Sequence, residues 1–361
     1  MFVRYSIVLE CYREVYRDYN VRAVHQTHEW WPYTIINSLA IKMEDGIFVE
    51  NLRSITAFPF PWFFCGFADL VFSWGQYHDG FFHAHNFSYK YLVQTGMVEG
   101  DGLDETESYR AKSIRSELDP SVKFVITLFD SSHGSNAPYS TSSMIYFYKN
   151  LLSLVLEKND WGVIIKPKND SYFNVITLND DFNTIKKILI KQGRCVKLPA
   201  SISPSVASMA GEITVCYGIN SAGIISYLNG GPPTLHFDMN GNLEHPLYYV
   251  GGKDRVIFRS FDKVCYALEE IRNGDTKLGN HSEWIGLFDA FLDGKGRYRT
   301  GEIIGMYMKY RENGLGRDSA LKKAIENYTL KWGHEKVSTP MAKQEHIGNE
   351  LWYRVMEKTM L

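Results

Sequence analysis

Cysteine is scarce and unpaired. The 361 residues hold five, Cys11, Cys65, Cys195, Cys216 and Cys265, with no C-x-x-C pair, which excludes a disulfide scaffold and the usual zinc knuckles. Neither sign of charge is in excess: 39 Lys and Arg face 41 Asp and Glu, for a formal net charge of −2. No global field recruits nucleic acid or a strongly anionic membrane, and any basic site is local. Long apolar runs are missing as well, and residues 1–19 carry Arg4, Glu10, Arg13, Glu14, Arg17 and Asp18 in place of a signal-type apolar core. Neither secretion nor import is expected, and the cytoplasm is the expected compartment. The P-loop pattern G-x-x-x-x-G-K-[ST], a G-x-G-x-x-G after a strand, the G-x-S-x-G elbow and any Asp-x-Asp pair are absent. These absences argue against a P-loop ATPase, a dinucleotide site, a simple serine hydrolase and a metal-held diphosphate. His78, His83 and His85 lie close together but match no standard zinc spacing, so neither a metal nor a cofactor is expected.

Aromatic residues, by contrast, make up 14% of the chain and concentrate in Phe58, Phe60, Trp62, Phe63, Phe64, Phe67, Phe72 and Trp74. Pro59, Pro61 and Asp69 interrupt that stretch, which argues against a spanning helix and for a buried loop running into a strand. The first reading of the 58–74 segment is core and interface packing. The second is an apolar rim that meets a lipid-linked acceptor or rests peripherally on the inner membrane.

Hydrophobic periodicity divides the chain. Residues 1–115 are expected to form a small α/β domain, with a helix near 7–16, a strand near 21–24, a helix from Thr34 and strands near 47–49 and 69–73; the acidic, glycine-rich run 99–107 reads as a linker. Residues 116–300 alternate short apolar strands (124–129, 162–166, 195–198, 213–218, 234–237 and 256–258) with helices (141–157, 182–191, 203–209, 222–228 and 261–272). That alternation predicts a parallel, doubly wound, Rossmann-like sheet. Residues 301–361 read as a C-terminal helical segment near 301–311, 318–331 and 342–356.

Polar residues at the carboxyl ends of the strands carry the chemistry. In 216–238 an apolar strand ends at Gly218, and Asn220, Ser221 and Ala222 open the next helix, whose free N–H groups attract phosphate; ordinary helix capping by Asn and Ser explains the same residues equally well. The loop 129–139, with Ser132, Gly134 and Ser135, leaves the first strand of its sheet where open α/β folds bind ligands, or is simply a surface turn, and Lys166 and Lys168 leave the next strand, able to neutralise a diphosphate or to lie solvated. Together these features suggest a nucleotide sugar or similar anion. In the first domain, 24–32 follows a strand. His25, His28 and Glu29 are able to accept a proton there, Trp30 and Trp31 are placed to shield them, and Trp74 in 73–76 is expected as a second wall; capping of the following helix by His28 and Glu29 explains the same residues without a catalytic role.

The Trp-containing polar loop after an early strand, the runs 68–75 and 164–168, and 217–222 followed by 229–233 resemble GT-B glycosyltransferases that build bacterial surface polysaccharides, and 288–295 looks like an element seen late in such surface-carbohydrate proteins. The resemblance implies two Rossmann-like domains, the N-terminal one small or incomplete, with C-terminal helices. It implies metal-independent transfer of a sugar from a nucleotide-sugar donor to a glycan or lipid-linked acceptor, in the cleft between the domains. Asn220, Ser221 and Ala222 would face donor phosphate with Lys166 and Lys168 nearby, Glu29 or His28 would act as base, and His25, Trp30 and Trp74 would meet the acceptor. The alternatives are a sugar-nucleotide epimerase of the same architecture and a non-catalytic glycan-binding or scaffold subunit.

Overall fold

The computed structural model describes residues 2–27, 34–51, 54, 67–84, 87–98, 104–134, 137, 139–241, 243 and 245–340. The chain divides into two compact units, Met1–Asp101 with Gly286–Leu361, and Gly102–Ile285. Sequence periodicity had placed the divisions at 115/116 and 300/301.

The first unit opens with a helix, Phe2–Asp18, and continues through β1 (Ala23–Gln26), a helix Thr34–Met43, β2 (Ile47–Asn51), β3 (Phe67–Ser73), a helix Gln76–Ala84 and β4 (Ser88–Gln94). The four strands pair in sequence order and in parallel. β2 is buried along its whole length, as a strand covered on both faces must be. Its residues alternate between two cores. Phe48, with Val71 of β3 and Leu92 of β4, packs on Tyr16, Ala40 and Ile41 of the opening helices. Ile47 and Val49, with Leu70, Phe72 and Val93, face the opposite side.

The second unit begins with the helix Glu105–Ser116, whose first turn falls inside the run read from sequence as a linker. Asp104 caps it, accepting from the Glu107 N–H at 2.7 Å, so these acidic residues serve a helix N-terminus. Then come β5 (Phe124–Phe129), β6 (Trp161–Lys166), β7 (Cys195–Lys197), β8 (Ile213–Tyr217), β9 (Thr234–Phe237) and β10 (Ile257–Phe258). They form one parallel sheet in the order β10-β9-β8-β5-β6-β7. Five connecting helices fall where periodicity put them, Thr141–Glu157 and Phe261–Arg272 to the residue, while the helix Asp170–Ile176 after β6 was not expected. The expected α/β class, with Rossmann-like parallel sheets and trailing helices, is what the structure shows.

At Gly286 the chain re-enters the first unit. The helices Gly296–Glu312 and Arg317–Trp332 bring Ile303, Tyr307, Leu321, Ile325 and Tyr328 onto the second face of the first sheet, and β11 (Val337–Ser338) pairs antiparallel with β4. The segment read as a separate C-terminal part supplies seven of the twelve buried residues of the cluster on that face. The quoted run 288–295 fastens this return. Asp289 accepts from the N–H groups of Phe291 and Met97, and the buried Arg299 guanidinium donates to Asp293 and to the Thr95 carbonyl while stacking on Phe291 and Trp332. Among the described residues no helix is long and apolar enough to cross a membrane. Residues 58–66 of the aromatic segment and the helix expected near 342–356 lie outside the described residues.

Candidate functional site at the carboxyl edge of the second sheet

From β5 the chain proceeds outward to β6 and β7, then crosses back to β8 on the other side of β5 and on to β9 and β10. At this reversal the chain leaving β5 goes to one side of the sheet and the chain leaving β8 to the other, the position at which open α/β sheets bind ligands.

β8 is a fully buried apolar strand that ends in Gly218, whose φ of +68° is the left-handed conformation glycine tolerates. Any side chain on Gly218 would collide with the Tyr139 hydroxyl. Asn220 then caps the helix Ser221–Leu228, its Oδ1 accepting from the Gly223 N–H at 3.1 Å. The N–H groups of Ser221 and Ala222 have no partner within the helix, and both residues are half-buried, so a partial positive charge sits at this turn.

The loop after β5 is stitched to the end of β8. Ser131 Oγ donates to the Tyr217 carbonyl at 2.9 Å, and the Tyr139 and Tyr217 rings meet edge to face with centroids 4.9 Å apart. His133 is buried against Tyr172, bonded through Nδ1 to Thr141 Oγ1 at 3.1 Å, and burial lowers its pKa. Gly134 has φ +123° and open space around it, while Ser132 is half-buried. Ser135 lies outside the described residues.

The two lysines part company. The Lys168 side chain is exposed, and its backbone N–H donates to Asp130. Lys166 is buried. Its ammonium donates to the Pro167 and Ala200 carbonyls, each at 3.0 Å, and burial lowers its pKa. A cation expected to project from a strand end instead ties that end to a neighbouring loop, because β6 is covered on both faces along its length. Asp130, also buried, accepts from the Tyr148 hydroxyl at 3.0 Å, and desolvation raises its carboxyl to about 6 against the pull of the Lys168 N–H and Tyr148.

Sequence reasoning did not single out Asp130, Tyr139, His236 or Asp238, although all four lie within the two segments it quoted. His236 bonds the Gly218 carbonyl through Nδ1 at 3.2 Å, and Asp238 accepts from the Tyr248 hydroxyl at 2.7 Å. A polar residue inside an apolar strand, as in Thr-Leu-His-Phe-Asp, was the available signal.

In the first unit, His25 is exposed at the middle of β1, its ring 6.5 Å from Phe72. Trp74 is fully buried, perpendicular to His78 at 5.1 Å, and offers an acceptor no surface. Its place at a strand end suggested a wall, but the turn into the next helix folds the indole inward. Beside it, Asp79 accepts from Ser73 Oγ at 2.5 Å and from Gln94 Nε2 at 2.6 Å. His28, Glu29 and Trp30 lie outside the described residues.

No family model and no curated protein matches this chain. Solved structures do. The Staphylococcus aureus MnaA–UDP complex superposes with a TM-score of 0.55 at 14% identity, covering 84% of this chain and 81% of its own. A putative UDP-N-acetylglucosamine 2-epimerase from Listeria monocytogenes gives 0.54 at 11% identity, covering 85% and 79%. Anabaena HepE with UDP-glucose gives 0.47 at 12% identity, covering 82% and 81%. At such identities the first two likenesses establish one thing, the fold: this chain is an α/β protein whose parallel sheets resemble the Rossmann-like domains of GT-B proteins.

Proposed function

We propose that the second unit binds a nucleoside-diphosphate sugar at the carboxyl edge of β5 and β8, and that the chain is a metal-independent glycosyltransferase using that donor. The observation that carries this reading is the Gly218 turn opening the Ser221–Leu228 helix at the strand-order reversal. Two negative phosphates there meet helix N–H groups and the positive end of the helix dipole. Ser221 and Ala222 supply those N–H groups and Asn220 holds the turn. Lys168 adds a cation from the neighbouring strand end, and Lys166 positions that end. Ser132, Gly134 and Ser135 line the loop from β5.

In transfer, an acceptor hydroxyl attacks the anomeric carbon, its proton passes to Glu29 or, in its place, His28, and the nucleoside diphosphate departs with the bonding electron pair. The charge of that leaving group is what the helix N-terminus stabilises. His25 and Trp30 serve the acceptor, a glycan or a lipid-linked sugar. The cytoplasm, or the inner-membrane surface reached through residues 58–74, is the proposed location.

The likeness to the putative UDP-N-acetylglucosamine 2-epimerase of Listeria monocytogenes supports a second reading, epimerisation of the nucleotide sugar itself. The two differ in what they require. Incubating UDP-N-acetylglucosamine and UDP-glucose with the protein and resolving the products separates them. Release of UDP only when a glycan acceptor is present supports transfer, and a new nucleotide sugar formed without acceptor supports epimerisation.

A further inference from the structure

One imidazole underlies the whole turn. His236, fully buried in β9, stands opposite Cys216 of β8 and reaches the Gly218 carbonyl through Nδ1 at 3.2 Å. A carbonyl only accepts, so Nδ1 carries the proton and Nε2 is a bare lone pair. That Nε2 is buried with no hydrogen-bond partner. The ring also lies against the first helical turn: a side chain on Gly223 would have its Cβ 3.1 Å from His236 Cε1. The group beneath the turn is therefore a base with nothing to accept from.

The surroundings hold it neutral. His281 stands perpendicular to it with ring centroids 5.5 Å apart, spends its own Nε2–H on the Thr234 carbonyl at 3.2 Å, and is pushed down by burial to about 4. His245, the other ionisable group acting on His236 through space, is pushed down by burial to about 3. The Cys216 thiol on the adjoining strand is raised by burial and stays protonated. The helix Ser221–Leu228 contributes Tyr227, whose ring meets His281, and β10 contributes only Ile257 and Phe258. No carboxylate acts on His236 among these groups. With the seat empty, burial keeps its own pKa well below the ordinary histidine value.

We propose that His236 is a proton-linked positioning residue of the phosphate seat: when a dianionic diphosphate ester occupies the Ser221 turn, Nε2 takes up one proton from solvent, and the proton leaves again with the ligand. The inference rests on the nucleotide-sugar reading and adds its regulation by pH. An anion seated on the turn that a buried imidazole supports favours the charged form of that imidazole, and reciprocity then makes the protonated protein bind more tightly. Affinity rises as pH falls, by up to about tenfold per pH unit while one proton is coupled.

The probe is UDP-N-acetylglucosamine, a diphosphate diester that does not itself titrate between pH 5 and 8. Calorimetric titration at pH 6 in two buffers of different ionisation enthalpy reads the proton count, with Asp130→Asn present in both proteins compared, because the Asp130 carboxyl, raised to about 6, otherwise titrates in the same window. The expected result is a buffer-dependent enthalpy showing net proton uptake with His236 in place, and a buffer-independent enthalpy in His236→Gln, whose amide can still donate to Gly218. Uptake that persists in His236→Gln, or binding with His236 in place and no uptake, overturns the proposal and leaves the donor reading standing. No binding of the probe by the wild type overturns both. Should His236→Gln not fold, the histidine 15N resonances of the wild type carry the test: a buried Nε2 signal must move from its unprotonated to its protonated position when the probe is added, and a signal that stays put overturns the proposal.

Discussion

The Tyr139 hydroxyl fills the space that a side chain on Gly218 would need. The loop from β5 and the turn from β8 are thus fitted to each other at the point where the strand order reverses, and the absence of a Cβ at residue 218 is a packing requirement as well as a conformational one.

Gly218→Ala should therefore destabilise the protein by about 2–4 kcal/mol, combining overpacking of a buried contact with the cost of a left-handed non-glycine residue. Denaturant unfolding of wild type and variant reads this directly. A change within about 0.5 kcal/mol, the range of ordinary surface substitutions, would show that the turn accommodates a side chain.

Burial raises the Asp130 carboxyl to about 6, against roughly 3.9 in an unfolded chain. Between those values the native protein keeps a proton that the unfolded chain has lost. Stability therefore falls as pH rises through this window and levels off above about 6. Asp130→Asn removes the titration, so the variant should gain on the wild type by about 2–3 kcal/mol between pH 3.5 and pH 7. Urea midpoints at the two pH values test it, and a constant difference would mean that Asp130 ionises normally.

Arg299→Met removes the guanidinium from the Asp293 carboxylate, which keeps only the Lys295 N–H, and from the Thr95 carbonyl. We expect a loss of about 2–3 kcal/mol, less than for a fully buried pair because Asp293 is partly exposed. A thermal transition unchanged from wild type would remove the run 288–299 as the clasp of the first unit.

Glu29→Gln should retain donor binding and lose roughly 10²–10⁴-fold in acceptor-dependent turnover, the usual contribution of general acid–base catalysis. Transfer at the parental rate would pass the role to His28.

Much of the second unit is legible in the sequence because its central strands β5, β6 and β8 are short, mostly apolar and fully buried, and its long helices begin at Ser140 and Ser260, whose side chains cap them. Less of the first unit is. The helix Gln76–Ala84 carries the polar residues His78 and Asp79 inward, against the usual pattern, and was not foreseen; β4 was missed with it. The docking of Ile303 and Tyr328 on β2 and β3 joins residues more than two hundred positions apart, and periodicity says nothing about which face finds which sheet. At the site, Asn220 and Ser221 were readable from their spacing after a strand. The inward turn of Lys166 and Trp74 was not, since whether a polar or amphipathic side chain at a strand end faces water depends on the loops that fold over it.

The central claim is that the Ser221 turn seats a nucleoside diphosphate, and titration calorimetry of UDP against the wild type and Ser221→Asp tests it most directly. The account predicts that the wild type binds, and that the variant, with a carboxylate set against phosphate, loses at least about 100-fold in affinity, equivalent to about 2.7 kcal/mol, with an unchanged melting temperature. Equal affinity in the two proteins would contradict it.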